Sequence, residues 1–209
     1  MRRVLVINPN SNESVTEGLR RSLTGFGERA VIDCCTLEQG PFGIESDEDV
    51  AAAGPLVAER IAASAHYDAY VIACYSDPGL DACRDRFDRP VFGMQESALE
   101  TAVAQGGRFG VLALSEDSIT RHLAYIEKLG LSDRLARELP LDITVDAAAN
   151  DPATLEKVIS TGRRLVEEFS VDSIILGCAG MAQIADAADR QLPVPVIEPT
   201  RAAVTLALA

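Results

Sequence analysis

Two of the five cysteines stand at positions in the sequence where a thiol could do chemistry. Cys74 directly follows the apolar run 70–73, and Cys178 directly follows the apolar run 174–177. Such runs are typical of buried parallel strands, and α/β sheets bind ligands in the loops at the carboxyl ends of their strands. A cysteine in such a loop can serve as an acid when protonated and as a base when ionised. The alternative for each residue is a structural role, because free cysteines often fill a core.

An internal repeat with an offset of 104 residues relates these two cysteines. The matched segments are 14–16 with 118–120, Cys74 with Cys178, and 85–86 with 189–190. Repeats of this kind indicate two homologous halves. If the halves pack about a pseudo-two-fold axis, Cys74 and Cys178 face each other across one cleft.

The other cysteines and the histidines give no sign of a metal site. Cys34 and Cys35 are adjacent, which is not the spacing of a redox dithiol, and Cys83 lies within a predicted helix. His66 and His122 are distant in sequence from each other and from the cysteine loops, so no ligand set emerges. We therefore expect no metal, and we predict surface or packing roles for both histidines.

Composition and motifs narrow the classes of function. The chain has 209 residues and a net charge of −13, which disfavours nucleic acid as a partner. No apolar run reaches the ~18 residues of a membrane span, and the amino-terminal run is too short for a signal peptide. An odd number of cysteines without a disulfide pattern then predicts a reducing, cytoplasmic location. No nucleotide-binding glycine motif is present. A pyridoxal-phosphate enzyme needs a buried lysine for its Schiff base, but both lysines of this chain lie beside glutamates on helix faces. We therefore expect no cofactor.

Strand-like runs alternate with helical patterns along the whole chain, which predicts an α/β fold. Together with the repeat, this predicts two pseudo-symmetric Rossmann-like lobes with parallel sheets and a site in the cleft between them. We expect one lobe at 1–95 plus 196–209 and the other at 96–195. The predicted strands are 3–7, 30–33, 69–73, 90–93, 109–113, 142–145, 173–176 and 194–197. The predicted helices are 14–23, 47–64, 79–87, 97–105, 118–128, 152–168 and 181–190.

Five motifs resemble those of the hydantoin/allantoin racemase branch of the aspartate/glutamate racemase superfamily, and they span nearly the whole chain. They are INPNSN at 7–12, Gly40-Pro41 with Ile44-Glu45, Cys74 with DPGLD at 77–81, VFG at 91–93 with Glu96, and LGCAGM at 176–181. The resemblance implies a cofactor-independent racemase with a small-molecule substrate, and homo-oligomers are frequent in this superfamily. It also implies that Cys74 and Cys178 are catalytic, one thiolate removing a proton from the stereocentre and the opposite thiol returning one. A helix N-terminus is expected to lower the pKa of each thiol.

We expect the substrate to contact residues in the loops around this cleft. These are Asn10, Ser11, Ile44, Tyr75, Ser76, Asp77, Ser115, Ala179 and Gly180. Neither cysteine loop carries a cation before Arg84, which favours a neutral ring such as a 5-substituted hydantoin or allantoin over a dicarboxylate. The alternatives are a maleate-isomerase-like enzyme, a decarboxylase of the same superfamily, and a non-catalytic sensor of small ligands.

Overall fold

A computed structural model describes residues 1–209 and contains two four-stranded parallel sheets. The first sheet has the order β2-β1-β3-β4 and the second the order β6-β5-β7-β8. The strands are β1 (Arg2–Asn8), β2 (Ala30–Thr36), β3 (Ala69–Ile72), β4 (Val91–Gly93), β5 (Phe109–Ala113), β6 (Leu135–Pro140), β7 (Ser173–Leu176) and β8 (Val196–Ile197). The predicted α/β fold with two similar lobes is confirmed, because the two sheets repeat one strand order.

Helices connect the strands and cover the sheets. They are α1 (Glu13–Ser22), α2 (Asp47–Ala62), α3 (Leu80–Arg86), α4 (Met94–Gln105), α5 (Glu116–Lys128), α6 (Val145–Asn150), α7 (Thr154–Phe169), α8 (Ala185–Asp189) and α9 (Pro199–Ala207). Short 3-10 helices occupy Thr24–Phe26 and Ala179–Ile184. None of the helices combines the length and the apolar character that a bilayer crossing requires.

The central strands of both sheets are buried on both faces. Val6 and Ile7 of β1 and Ile174 and Ile175 of β7 are consecutive pairs on opposite faces, and all four are fully buried, as expected for parallel strands covered by helices on each side. One hydrophobic cluster of 41 buried residues contains side chains from both sheets. The two lobes therefore share a continuous core, which fixes the carboxyl ends of their strands relative to each other.

Side-chain caps set where the helices next to these carboxyl ends begin. The Asn12 side chain accepts a hydrogen bond from the Ser14 N–H at 3.0 Å at the start of α1. The Ser115 hydroxyl accepts one from the Ser118 N–H at 3.2 Å at the start of α5. Such caps are each worth about 1 kcal/mol and fix the direction in which the helix leaves the strand.

The structure corrects the sequence prediction in three places. The sixth strand is β6 and not the predicted strand 142–145. Thr144 instead caps α6, because its hydroxyl accepts a hydrogen bond from the Ala147 N–H. The predicted helix 181–190 is a 3-10 helix followed by the short helix α8. The sequence analysis also missed α9, which packs against α4 and the first sheet. Strand β8 pairs with β7 in the second sheet, and the division of the chain into lobes stays a prediction.

Candidate active site

Both cysteines that the repeat relates line one cleft, which contains about 400 Å³ of space not filled by atoms. Cys74 follows β3 and Cys178 follows β7, which are equivalent strands of the two sheets. Loops at the carboxyl ends of β1 and β5 complete the cleft. In each sheet the strand order reverses between two neighbouring strands, β1 and β3 in the first sheet and β5 and β7 in the second. Parallel α/β sheets bind ligands at such a reversal.

Eight of the eleven residues expected at the site line this cleft. They are Asn10, Ile44, Cys74, Tyr75, Ser76, Cys178, Ala179 and Gly180. The structure does not bring Ser11, Asp77 or Ser115 into its lining. Ser115 caps α5, and Ser11 donates its backbone N–H to the carbonyl oxygen of Pro41 at 2.9 Å.

Asp77 has a role in positioning a helix. Its two carboxylate oxygens accept the backbone N–H groups of Gln95 and Glu96, both at 3.0 Å, at the start of α4. Burial raises the pKa of this carboxyl to about 7 although both hydrogen bonds oppose the shift. Asp77 thus ties the loop after Cys74 to the beginning of α4.

The backbone N–H group two residues further along the chain acts on each catalytic candidate. The Gly180 N–H donates a hydrogen bond to Sγ of Cys178 at 3.3 Å. The Ser76 N–H lowers the pKa of Cys74. Gly177 allows the chain before Cys178 to pack closely against β5, because a Cβ atom at that position would lie 2.7 Å from the carbonyl oxygen of Leu112.

Burial raises the pKa of Cys74 to about 12 and that of Cys178 to about 11. The backbone N–H groups of Ser76 and Gly180 lower these pKa values, but less than burial raises them. The expectation that a helix N-terminus lowers both pKa values is therefore wrong for the unliganded cleft. Removal from water penalises the thiolate more than one hydrogen bond stabilises it.

The two thiols also influence each other's ionisation. Negative charge on Cys178 raises the pKa of Cys74, and the guanidinium of Arg121 lowers it. When one thiol loses its proton, the other is therefore held in its protonated form. At neutral pH both thiols are therefore mostly protonated, and simultaneous ionisation of both is the least favoured state.

Comparison with known proteins identifies the family. The sequence profile of the Asp/Glu/Hydantoin racemase family matches residues 4–207. The chain belongs to this family. It is 34% identical over 210 residues to a hydantoin racemase from a Pseudomonas species, covering 98% of this chain and 84% of that protein. It is also 34% identical over 213 residues to a hydantoin racemase from Paenarthrobacter aurescens, covering 98% and 89%.

Solved structures agree with this assignment. The allantoin racemase from Klebsiella pneumoniae superimposes with a TM-score of 0.95 at 31% identity, covering 99% of this chain and 86% of that one. The allantoin racemase from Pseudomonas fluorescens gives a TM-score of 0.91 at 26% identity, covering 98% and 88%. The fold of this racemase-family chain is thus that of solved relatives over nearly its whole length.

The sequence analysis missed the wall of the cleft that α5 supplies. Ser118, Arg121 and His122 line the cleft from the first half of this helix. Their spacing of three and four residues places them on one helix face. A polar triplet at that spacing, directly after a strand end, was the signal available in the sequence. The other lining residues that it missed are Val15, Ala73, Leu114, Val145 and Gly177.

His122 is buried and lines this site, although it is distant in sequence from both cysteine loops. Its Nδ1 lies 2.9 Å from Oε2 of Glu138, and both side chains are at most 3% exposed. The ring also packs edge-on against Tyr75, with centroids 4.8 Å apart. Sequence separation hid these contacts, because they depend on α5 packing against β6 and on the loop after β3.

Arg121 gives the cleft a fixed cation, which contradicts the expectation of a site without one. Its side chain is 15% exposed, and its Nε is buried without a hydrogen-bond partner. Arg121 forms an ion pair with Asp47, with 3.7 Å between Nη1 and the carboxylate oxygen. The Asp47 side chain is 81% exposed. Local sequence around the cysteines could not reveal this cation, because it comes from another element.

Asn10 is held by a network of amides behind the cleft. Its Oδ1 accepts hydrogen bonds from Nδ2 of Asn8 and from the Asn12 N–H, both at 2.9 Å. The same Nδ2 of Asn8 donates to the Thr16 hydroxyl at 3.0 Å. Because the amide oxygen of Asn10 is engaged, its amide nitrogen is the group left to donate to a ligand in the cleft.

Proposed function

We propose that this chain is a cofactor-independent racemase of a neutral ring, such as a 5-substituted hydantoin or allantoin. The observation that carries the proposal is the position of Cys74 and Cys178, which line one cleft from equivalent strands of two similar sheets. Inversion of a stereocentre requires a base on one face and an acid on the other. Two thiols contributed by pseudo-symmetric lobes meet that requirement. Membership of the racemase family, and relatives named hydantoin and allantoin racemase, support the same reaction.

In the proposed reaction, one cysteine thiolate takes the proton from the stereocentre of the ring. The electron pair left behind delocalises onto the adjacent carbonyl oxygen and gives a planar enolate. The opposite thiol then donates its proton to the other face of the same carbon. After one turnover the protonated and ionised thiols have exchanged places, so the enzyme is ready for the opposite enantiomer.

The enolate oxygen requires hydrogen-bond donors that are already in place. We assign the amide nitrogen of Asn10 and the backbone N–H groups of the loops after the cysteines to the ring carbonyls. The network that fixes Asn10 keeps this donor from turning away. The other proposed substrate contacts are Ile44, Tyr75, Ser76, Ala179 and Gly180, which all line the cleft.

The raised thiol pKa values have two opposed effects on this reaction. A pKa of about 11 for Cys178 leaves only a small fraction of thiolate at neutral pH. The thiolate that does form is a stronger base, which favours removal of a weakly acidic carbon-bound proton. The mechanism also requires reduced thiols, so the proposal includes a reducing, cytoplasmic environment.

A direct test incubates each enantiomer of a 5-substituted hydantoin, and of allantoin, with the purified protein. Circular dichroism follows the optical signal, and mass spectrometry follows the composition of the product. Loss of the optical signal at constant mass is the result expected for a racemase. Loss of carbon dioxide would indicate a decarboxylase, and an unchanged signal with all of these substrates would contradict the proposal.

A further inference from the structure

Besides the Tyr75 hydroxyl, two buried donors near the thiols have no hydrogen-bond partner within the protein. They are Nε of Arg121 and Nε2 of Gln95, a residue that is only 1% exposed. A buried donor without a partner costs about 1–3 kcal/mol. Such a cost is offset when a ligand supplies the missing acceptor.

Both donors belong to a second hollow that adjoins the thiol cleft. This outer hollow is lined by Ser76, Gln95, Arg121, Tyr125 and Lys128, together with two apolar side chains. Ser76 and Arg121 line the thiol cleft as well. A substituent on a ring held between the thiols can therefore reach the outer hollow past these two residues.

Among the cations around the outer hollow, Arg121 has the longest ion pair. Lys128 is paired with Asp81 at 2.7 Å, and Arg84 nearby is paired with Glu96. Arg121 forms an ion pair only with the exposed Asp47, at 3.7 Å. Arg121 also lines a separate acidic hollow with four carboxylate residues, Asp47 and Asp117 among them, and their charge disfavours an anion there. An anionic group would therefore bind Arg121 from the side of Gln95.

We propose that the outer hollow selects substrates in which the ring substituent ends in a carboxylate. This inference rests on the proposed racemase function and adds the chemical class of the substituent. The carboxylate accepts a hydrogen bond from Nε of Arg121, and a second from the amide nitrogen of Gln95. The ring itself remains neutral between the two thiols.

A carboxylate suits these donors better than a neutral group does. Charge-assisted hydrogen bonds from a guanidinium are roughly twice as strong as neutral ones. Arg121 is also held in place, since its Nη2 donates to the Ser118 hydroxyl at 3.3 Å. A carboxamide offers one acceptor oxygen without charge, and an alkyl group leaves both buried donors unpaired.

The test compares three hydantoins with substituents of similar size: 2-carboxyethyl, 2-carbamoylethyl and 3-methylbutyl. For the wild-type protein at pH 8, we expect kcat/KM to be at least about tenfold higher for the carboxylate than for the alkyl compound. The carbamoyl compound should lie between them. Most of the difference should appear in KM, because Arg121 contacts the substituent and not the reacting carbon.

Arg121→Gln should remove most of the preference for the carboxylate, measured as the ratio of kcat/KM between the carboxylate and the alkyl compound in the same variant. Loss of Arg121 also raises the pKa of Cys74, but that effect is common to all three compounds and cancels in the ratio. Arg121→Lys should restore the preference only in part, since an ammonium lacks the planar set of donors. Arg164→Gln, on the exposed face of α7, is the matched control and should change nothing. Circular dichroism verifies that each variant is folded.

The outcomes separate the two proposals. Racemisation of the alkyl compound without a carboxylate preference, or a preference that survives in Arg121→Gln, would overturn this inference and leave the racemase function intact. If the wild-type protein racemised none of the three compounds, the proposed function and the inference would both be wrong.

Discussion

Cys74 and Cys178 follow equivalent strands of two sheets that share one strand order, and both side chains line the same cleft. The backbone N–H group two residues further on, at Ser76 and at Gly180, lowers the pKa of each thiol. Helix α5 breaks this symmetry, because it lines the cleft with polar residues. The equivalent helix α1 lines the cleft with Val15. The protein thus combines a symmetric pair of acid/base groups with an asymmetric wall for binding.

The pH dependence of activity follows from the raised thiol pKa values. Because burial raises the pKa of Cys178 to about 11, the fraction of thiolate should rise about tenfold per pH unit at neutral pH. We expect kcat/KM for racemisation to rise about a hundredfold between pH 6 and pH 8. A plateau reached below pH 8 would mean that the free enzyme has a thiol pKa near neutrality.

Asp77 should make stability depend on pH. Its pKa is about 7 in the folded protein, against an ordinary value of 3.8. Between these values the folded state binds a proton that the unfolded state does not, so stability falls as pH rises. The loss from this group is at most about 4 kcal/mol. Urea unfolding of the wild type and of Asp77→Asn from pH 4 to pH 8 measures it.

Between pH 4 and pH 7 the stability of the wild type should fall relative to that of Asp77→Asn, because the asparagine side chain of the variant cannot ionise. Parallel profiles would show that Asp77 has an ordinary pKa in the folded protein. The same variant tests where Asp77 acts. A cap on α4 predicts an unchanged KM for the substrate, whereas a direct substrate contact would raise it.

Glu138 should be important for stability through His122. Glu138→Ala leaves Nδ1 of a buried histidine without its partner and opens a cavity, which should cost about 2–4 kcal/mol. Glu138→Gln retains an acceptor of the same size and should cost less. Urea unfolding at pH 8 compares these variants with Glu156→Ala, an exposed control on α7. Equal losses for the alanine and glutamine variants would argue against the hydrogen bond.

The sequence was sufficient to place the thiols but not the wall opposite them. Apolar runs ending in Cys74 and Cys178, together with the repeat, predicted equivalent strands and one cleft. Arg121 and His122 were missed because their role depends on how α5 packs against the sheets. That packing is set by residues far apart in the chain, such as Glu138.

Local signals also misplaced some elements and contacts. The run 142–145, which contains three β-branched residues, resembled a strand, but Thr144 caps a helix there. The true edge strand β6 contains charged residues and ends in proline, which is unusual for a strand interior. Ser115 and Asp77 adjoin the site in sequence, yet helix N–H groups engage their side chains. A short polar side chain before a helix caps it as readily as it binds a ligand.

The division of labour between the thiols is the central claim, and deuterium exchange tests it most directly. Cys74→Ser and Cys178→Ser should each abolish net racemisation, because an alcohol is a much weaker acid and base than a thiol at neutral pH. Each variant retains one thiolate and should still exchange the proton at the stereocentre with deuterated water. NMR should show this exchange for one enantiomer with Cys74→Ser and for the opposite enantiomer with Cys178→Ser. Full racemase activity in either variant, or exchange of the same enantiomer in both, would contradict the two-thiol mechanism.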